Sequence, residues 1–173
     1  MAFLFSEDNP ISHKKCMDTY GLKDFIRYCN LTSSKKAKIA LIGDSHARAL
    51  YDGLAFYLKK YNQDLLNLGG RLFLDVETYP IGDKKEIEVY KGGIRATQFV
   101  LQEPSIETVV MVSKGHYLTD NNWVFKLINN QNLKDKKQVW EIAMRKTLDS
   151  AIENNKEVVF VIDKPSLGFD PKS

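Results

Sequence analysis

Four short apolar runs punctuate the chain, at Ile39–Ile42, Asp64–Leu68, Thr108–Val112 and Glu157–Ile162, with longer segments of helical periodicity between them. Runs of this kind, closed by Gly or polar residues, predict strands buried on both faces of a parallel sheet. Ala47–Tyr61 carries Leu50, Leu54, Tyr57, Leu58 and Tyr61 at helical spacing, and its aromatics Tyr51, Phe56, Tyr57 and Tyr61 read as a face packed on the sheet. Ile94–Gln102 predicts a second helix, broken ahead of Pro104, and Leu133–Asn154 a third with Val139, Ile142, Ala143, Thr147, Leu148 and Ile152 on one side. Between Pro80 and Gly93, the alternation Ile87-Glu88-Val89-Tyr90 reads as a β-hairpin arm or an irregular excursion, after an extended stretch at Arg71–Tyr79. The Asn-rich stretch Asn129–Asn132 reads as a loop, and Trp123 falls on a loop as well.

Strands alternating with helices predict an α/β fold with a mostly parallel sheet, helices on both faces and ligands at the carboxyl ends of the strands. Residues 1–37 form an irregular lead-in with a pair of cysteines, in which only Leu22–Tyr28 suggests a helix, and residues 38–173 form the α/β domain.

Composition narrows this little. A length of 173 residues with 43% hydrophobic and 27% charged positions suits one globular domain and excludes a disordered or low-complexity chain. Uncharged runs reach only about seven residues, far short of the roughly 20 apolar positions that cross a bilayer. The 25 basic and 22 acidic residues are interspersed, a balance that by itself argues neither for nor against nucleic acid, and no nucleic-acid partner is expected. Cys16 and Cys29 allow either one short-loop disulfide, worth about 2–3 kcal/mol, or two thiols in a reducing compartment. Metal binding finds little support, since only His13 lies near them and a structural zinc needs four ligands.

Candidate chemistry concentrates in Gly43-Asp44-Ser45-His46. A buried strand there delivers Ser45 into the first turn of a helix, where backbone amides and the helix dipole stabilise a developing oxyanion. The same pattern is also an ordinary helix N-cap, worth about 1 kcal/mol. One glycine is too few for the Gly-rich cradle of a phosphate loop.

Gly43-Asp44-Ser45-His46 after an apolar strand resembles the first block of the SGNH/GDSL hydrolases. Within them the chain is most similar to the SGNH domains fused to the membrane domain of acyltransferase-3 proteins, which acylate extracytoplasmic glycans. The cysteine pair, His46-Ala47-Arg48-Ala49-Leu50, Val112-Ser113-Lys114-Gly115, Ile162-Asp163-Lys164-Pro165 and Leu167-Gly168-Phe169-Asp170-Pro171 carry the likeness over roughly residues 13–173. The resemblance implies a three-layer α/β/α fold, Ser45 as nucleophile, its own N–H in the oxyanion hole, and Gly69 or Gly70 as the second-block glycine. It places Asp44, Lys114, Gly115 and His116 around the pocket, with Gly115 and His116 standing where other superfamily members supply an Asn. No metal or organic cofactor is implied. The implied partners are a glycan acceptor, an acyl donor and a membrane acyltransferase domain, and the implied location is periplasmic or extracytoplasmic, where Cys16 and Cys29 could pair.

One element of the resemblance is missing. The superfamily's Asp-x-x-His block, which activates the serine, does not occur: Ser166 and Ser173 stand three positions after Asp163 and Asp170. The chain therefore reads as one strand and one helix short, and weak activity is expected of it. Among the other histidines only His116 stands at the correct sheet edge, as a substitute base, a loop residue or a substrate contact. The functional expectation is an SGNH-type acyltransferase or esterase acting on O-acyl groups of a cell-envelope glycan. The alternative is a silent glycan-binding or scaffold module of the same fold.

Overall fold

The computed structural model describes residues 10–23, 26–113, 118, 120–130 and 132–161. Helix α1 (Pro10–Tyr20) precedes β1 (Cys29–Leu31), β2 (Ile39–Gly43), α2 (Ser45–Lys59), β3 (Leu65–Gly69) and β4 (Val76–Pro80). There follow α3 (Lys84–Gln102), β5 (Thr108–Val112), β6 (Trp123–Leu127), α4 (Lys136–Glu153) and β7 (Glu157–Val161). The main sheet has the order β1-β3-β2-β5-β7; β3, β2, β5 and β7 are parallel, and β1 runs antiparallel to β3 at the edge.

Because successive strand residues face opposite sides, the sheet feeds two apolar layers. Leu41, Leu65 and Val112 pack under α2 with Ala47, Tyr51, Leu54 and Leu58. Ala40, Ile42, Leu66, Leu68, Val109 and Met111 join α3 and α4 through Ala96, Val100, Leu101, Val139 and Ala143. The result is a three-layer α/β/α arrangement, as the strand–helix alternation implies. β4 and β6 pair with each other in a separate two-stranded ribbon.

Several segments differ from the sequence reading. The lead-in is not irregular: α1 and β1 lie within it and bury Cys16, Tyr20, Ile26 and Cys29 in the core, whereas Leu22–Tyr28 forms no helix among its described residues. The alternating Ile87–Tyr90 lies inside α3, so the hairpin arm does not form. Trp123 belongs to β6 rather than to a loop. On α2 the sheet-facing row is Ala47, Tyr51, Leu54 and Leu58, while Phe56, Tyr57 and Tyr61 are exposed. Ile142 and Ile152 of α4 are also exposed, and Met144 and Ala151 are buried instead. The segments at 162–165 and 167–171 lie outside the described residues.

Candidate active site at the end of the central strand

β2 lies in the middle of the parallel strands, and its register aligns Gly43 with Gly69 of β3 on one side and Val112 of β5 on the other. Three carboxyl ends thus meet at one level. Gly43 has φ +152°, and a Cβ built there would stand 1.7 Å from the Val112 carbonyl oxygen. Only glycine lets the chain leave the strand so close to β5.

Asp44 follows as the N-cap of α2. Its Oδ1 accepts from the His46 N–H at 2.8 Å, and its Oδ2 accepts from the Ser113 hydroxyl at 3.1 Å. One carboxylate therefore caps the helix and also ties the turn to the end of β5. Ser45, the first residue of α2, is exposed, and neither its hydroxyl nor its N–H has a hydrogen-bond partner among the described residues. An unspent amide next to an accessible hydroxyl meets the local requirement for attack on an ester carbonyl and stabilisation of the resulting oxyanion.

A residue from the lead-in fixes this turn. The Tyr28 hydroxyl, buried against the sheet edge, shares its proton between the carbonyl oxygens of Gly43 at 3.2 Å and Asp44 at 3.0 Å. Burial, followed by the Asp44 carboxylate, holds the Tyr28 phenol above its ordinary pKa against the opposing pull of Arg27, Arg48 and Arg71. It therefore stays protonated and donating at neutral pH. Each carbonyl also has a backbone donor, Gly70 N–H for Gly43 and Arg48 N–H for Asp44. Tyr28→Phe is accordingly expected to cost about 1 kcal/mol of stability, and to slow covalent labelling of Ser45 more than it lowers the melting temperature. An unchanged labelling rate would remove Tyr28 from the positioning of the serine.

Gly69 and Gly70 line the cleft beside Ser45, but their amides are engaged, Gly69 with the Tyr28 carbonyl at 3.0 Å and Gly70 with the Gly43 carbonyl at 3.1 Å. Their lack of side chains is the contribution the geometry displays: a Cβ on Gly69 would press on Arg27 and the Tyr28 ring, and one on Gly70 on Thr97 and Ile42. Lys114, Gly115 and His116 lie outside the described residues. His13 plays a structural part, its Nδ1 accepting from the Cys29 N–H at 3.0 Å. Cys16 and Cys29 are joined in a disulfide with Cα atoms 5.7 Å apart. No group of three or more His, Cys, Asp or Glu side chains suited to a metal occurs among the described residues, and no described helix is long and apolar enough to cross a membrane.

The cleft holds about 50 Å³ and is lined by Arg27, Tyr28, Arg48, Arg71, Val89 and Gly93 together with the turn and the two glycines. Tyr28, Arg27 and Arg71 escaped the sequence reading, because no motif marks them; the one available signal was the adjacency of Tyr28 to Cys29.

The family model described as SGNH domain (fused to AT3 domains) matches residues 15–173. The chain belongs to this family. Comparison with curated proteins gives no match. The match assigns the SGNH domain to a hydrolase- and acyltransferase-like group whose members are joined to AT3 domains, and it spans the whole turn from Gly43 to His46.

Proposed function

We propose that this domain is an acyl-transfer module in which Ser45 takes an acyl group from an ester and passes it to a sugar hydroxyl of a cell-envelope glycan, or to water. In the first step Ser45 Oγ bonds to the acyl carbon, its proton goes to a base, and the donor's alkoxide leaves as an alcohol. In the second step the acceptor oxygen displaces Ser45 and the serine regains a proton. The observation that carries this reading is the exposed Ser45 at the start of α2, its own N–H without a partner among the described residues, inside a family match that covers the turn.

The same reading makes the domain the partner of a membrane acyltransferase domain in an intact protein and places it outside the cytoplasm. The Cys16–Cys29 disulfide supports that location, since such bonds persist in oxidising compartments. Lys114, Gly115 and His116 remain proposed pocket residues, with His116 the histidine to test as base.

Turnover of a short-chain ester by the 173-residue chain is expected to be slow, because no Asp-x-x-His occurs in its sequence. Reaction with a fluorophosphonate is the better test, as a single covalent event accumulates even when the serine is weakly activated. Intact-mass analysis is expected to show one adduct, mapped to Ser45 and absent from Ser45→Ala. A wild-type protein that stays unlabelled after long incubation would favour a silent glycan-binding or scaffold module.

A further inference from the structure

The walls of the Ser45 cleft are unevenly charged. Arg27, Arg48 and Arg71 reach it from three separate places, the segment before β1, the first turn of α2 and the loop after β3, and Asp44 is the one carboxylate among its described lining residues. Three guanidinium groups and one carboxylate thus stand among the described residues around about 50 Å³, an unusual concentration of arginine in a chain whose basic and acidic residues nearly balance. Asp44 is moreover occupied with the His46 amide and the Ser113 hydroxyl.

The arginines are built into the site. The Arg48 guanidinium carbon lies 5.9 Å from the centre of the Tyr28 ring, on the residue that holds the nucleophile turn. The Arg71 N–H donates to the Gly93 carbonyl and to Thr97 Oγ1, each at 3.2 Å, which anchors its backbone to α3. Gly93 sits inside α3, where glycine costs about 1 kcal/mol relative to alanine. A Cβ there would come within 2.7 Å of Arg71 Cγ, so the helix gives up a side chain where the arginine stem passes.

Arg71, Gly70 and Asp44 also line a second recess of about 10 Å³, together with Thr78 and Ser113. This is close to the space one water-sized oxygen requires. Thr78 is only 2% exposed and its hydroxyl has no hydrogen-bond partner among the described residues. A buried donor left in that state is costly unless something fills the recess.

We infer that the molecule brought to Ser45 carries an anionic group, a carboxylate or a phosphate, held by Arg27, Arg48 and Arg71 beside the reacting ester, with Thr78 and Arg71 receiving one of its oxygens. Guanidinium groups bind both anions through paired N–H donors, whereas a neutral sugar offers them hydroxyl acceptors but no charge. The inference rests on the acyl-transfer reading for the position of the ester, but the anion site is measurable without turnover.

The test is ligand-observed NMR on the full chain with glucose, glucuronate and glucose 6-phosphate. Both anionic sugars are expected to bind at least about tenfold tighter than glucose, with an advantage that shrinks as salt rises, and the stronger of the two identifies the preferred anion. Arg48→Gln and Arg71→Gln are expected to lose about ten- to hundredfold in affinity for the anionic sugars. Arg48→Lys, which keeps the charge and loses the fork, should fall between. Equal binding of the three sugars, or anion affinity retained in both Gln variants, overturns the inference. Anion binding by a protein whose Ser45 resists the fluorophosphonate upholds this site and removes the nucleophile; labelling of Ser45 with three equal affinities does the reverse.

Discussion

Gly43→Ala is expected to destabilise the domain by more than ~3 kcal/mol, beyond the usual range for a single overpacked methyl. The new Cβ would stand 1.7 Å from the Val112 carbonyl oxygen, which is backbone, so no rotamer change relieves the contact. Nor is there a simple retreat. β2 is paired with β3 on its other side, and β5 is itself held by β7. The backbone at φ +152° adds strain for any residue with a side chain. Relief requires parting β2 from β5 at the level that carries Asp44 and Ser45, so the serine's placement should be lost along with stability. A fall of at least about 6–12 °C in melting temperature is expected for a chain of this size, together with loss of fluorophosphonate labelling. A variant melting within a degree or two of the parent would mean that the turn leaves the strand less tightly than described.

Opening the Cys16–Cys29 disulfide is expected to have a comparable effect for a different reason. The bond closes a loop with a sequence separation of 13, and releasing it returns entropy to the unfolded chain worth about 3 kcal/mol. Both cysteines are fully buried, and β1, to which Cys29 belongs, pairs with β3 over only three residues. The other ties at this edge, the buried Tyr20 and Ile26 and the hydrogen bonds of His13 and Tyr28, are non-covalent and depend on the segment already being docked. Thermal melts of the protein with and without reductant, and of Cys16→Ala/Cys29→Ala, should fall about 6–12 °C below the oxidised parent. Because Tyr28 adjoins Cys29, labelling at Ser45 should slow as well. Superimposable melting curves would show that α1 and β1 dock without the covalent link.

The central strands were legible because Ile39–Ile42 and Thr108–Val112 are unbroken apolar runs, as burial on both faces demands. The nucleophile turn was legible because it follows one of them at once. α3 was half hidden: its inward row includes Gly93, Ala96 and Thr97, small residues that do not register as a hydrophobic stripe, while Ile87 and Val89 mimic strand alternation. α1 was missed since Cys16 and Tyr20 are the buried residues on its described face, too few to mark a period. The aromatic residues of α2 misled, because Tyr57 and Tyr61 lie over the helix surface with their hydroxyls 3.2 Å apart rather than against the sheet. Of the cleft, Ser45, Asp44 and the Gly69–Gly70 pair were readable from their places after strands. Arg27, Tyr28 and Arg71 were not, since what makes them part of the site is a fold that brings the lead-in back beside residue 43.

That return has a further consequence. The turn that presents Ser45 is made by strands and a helix from residue 39 onward and tied down by the Tyr28 hydroxyl, whereas Arg27, ahead of a strand that runs against the parallel order, lends part of the cleft wall. The wall can be recharged at Arg27 without touching the strand order or the Tyr28 tie, as connecting segments on a rigid scaffold commonly are. Chains of this architecture therefore have a place to alter what they accept while keeping the serine where it stands.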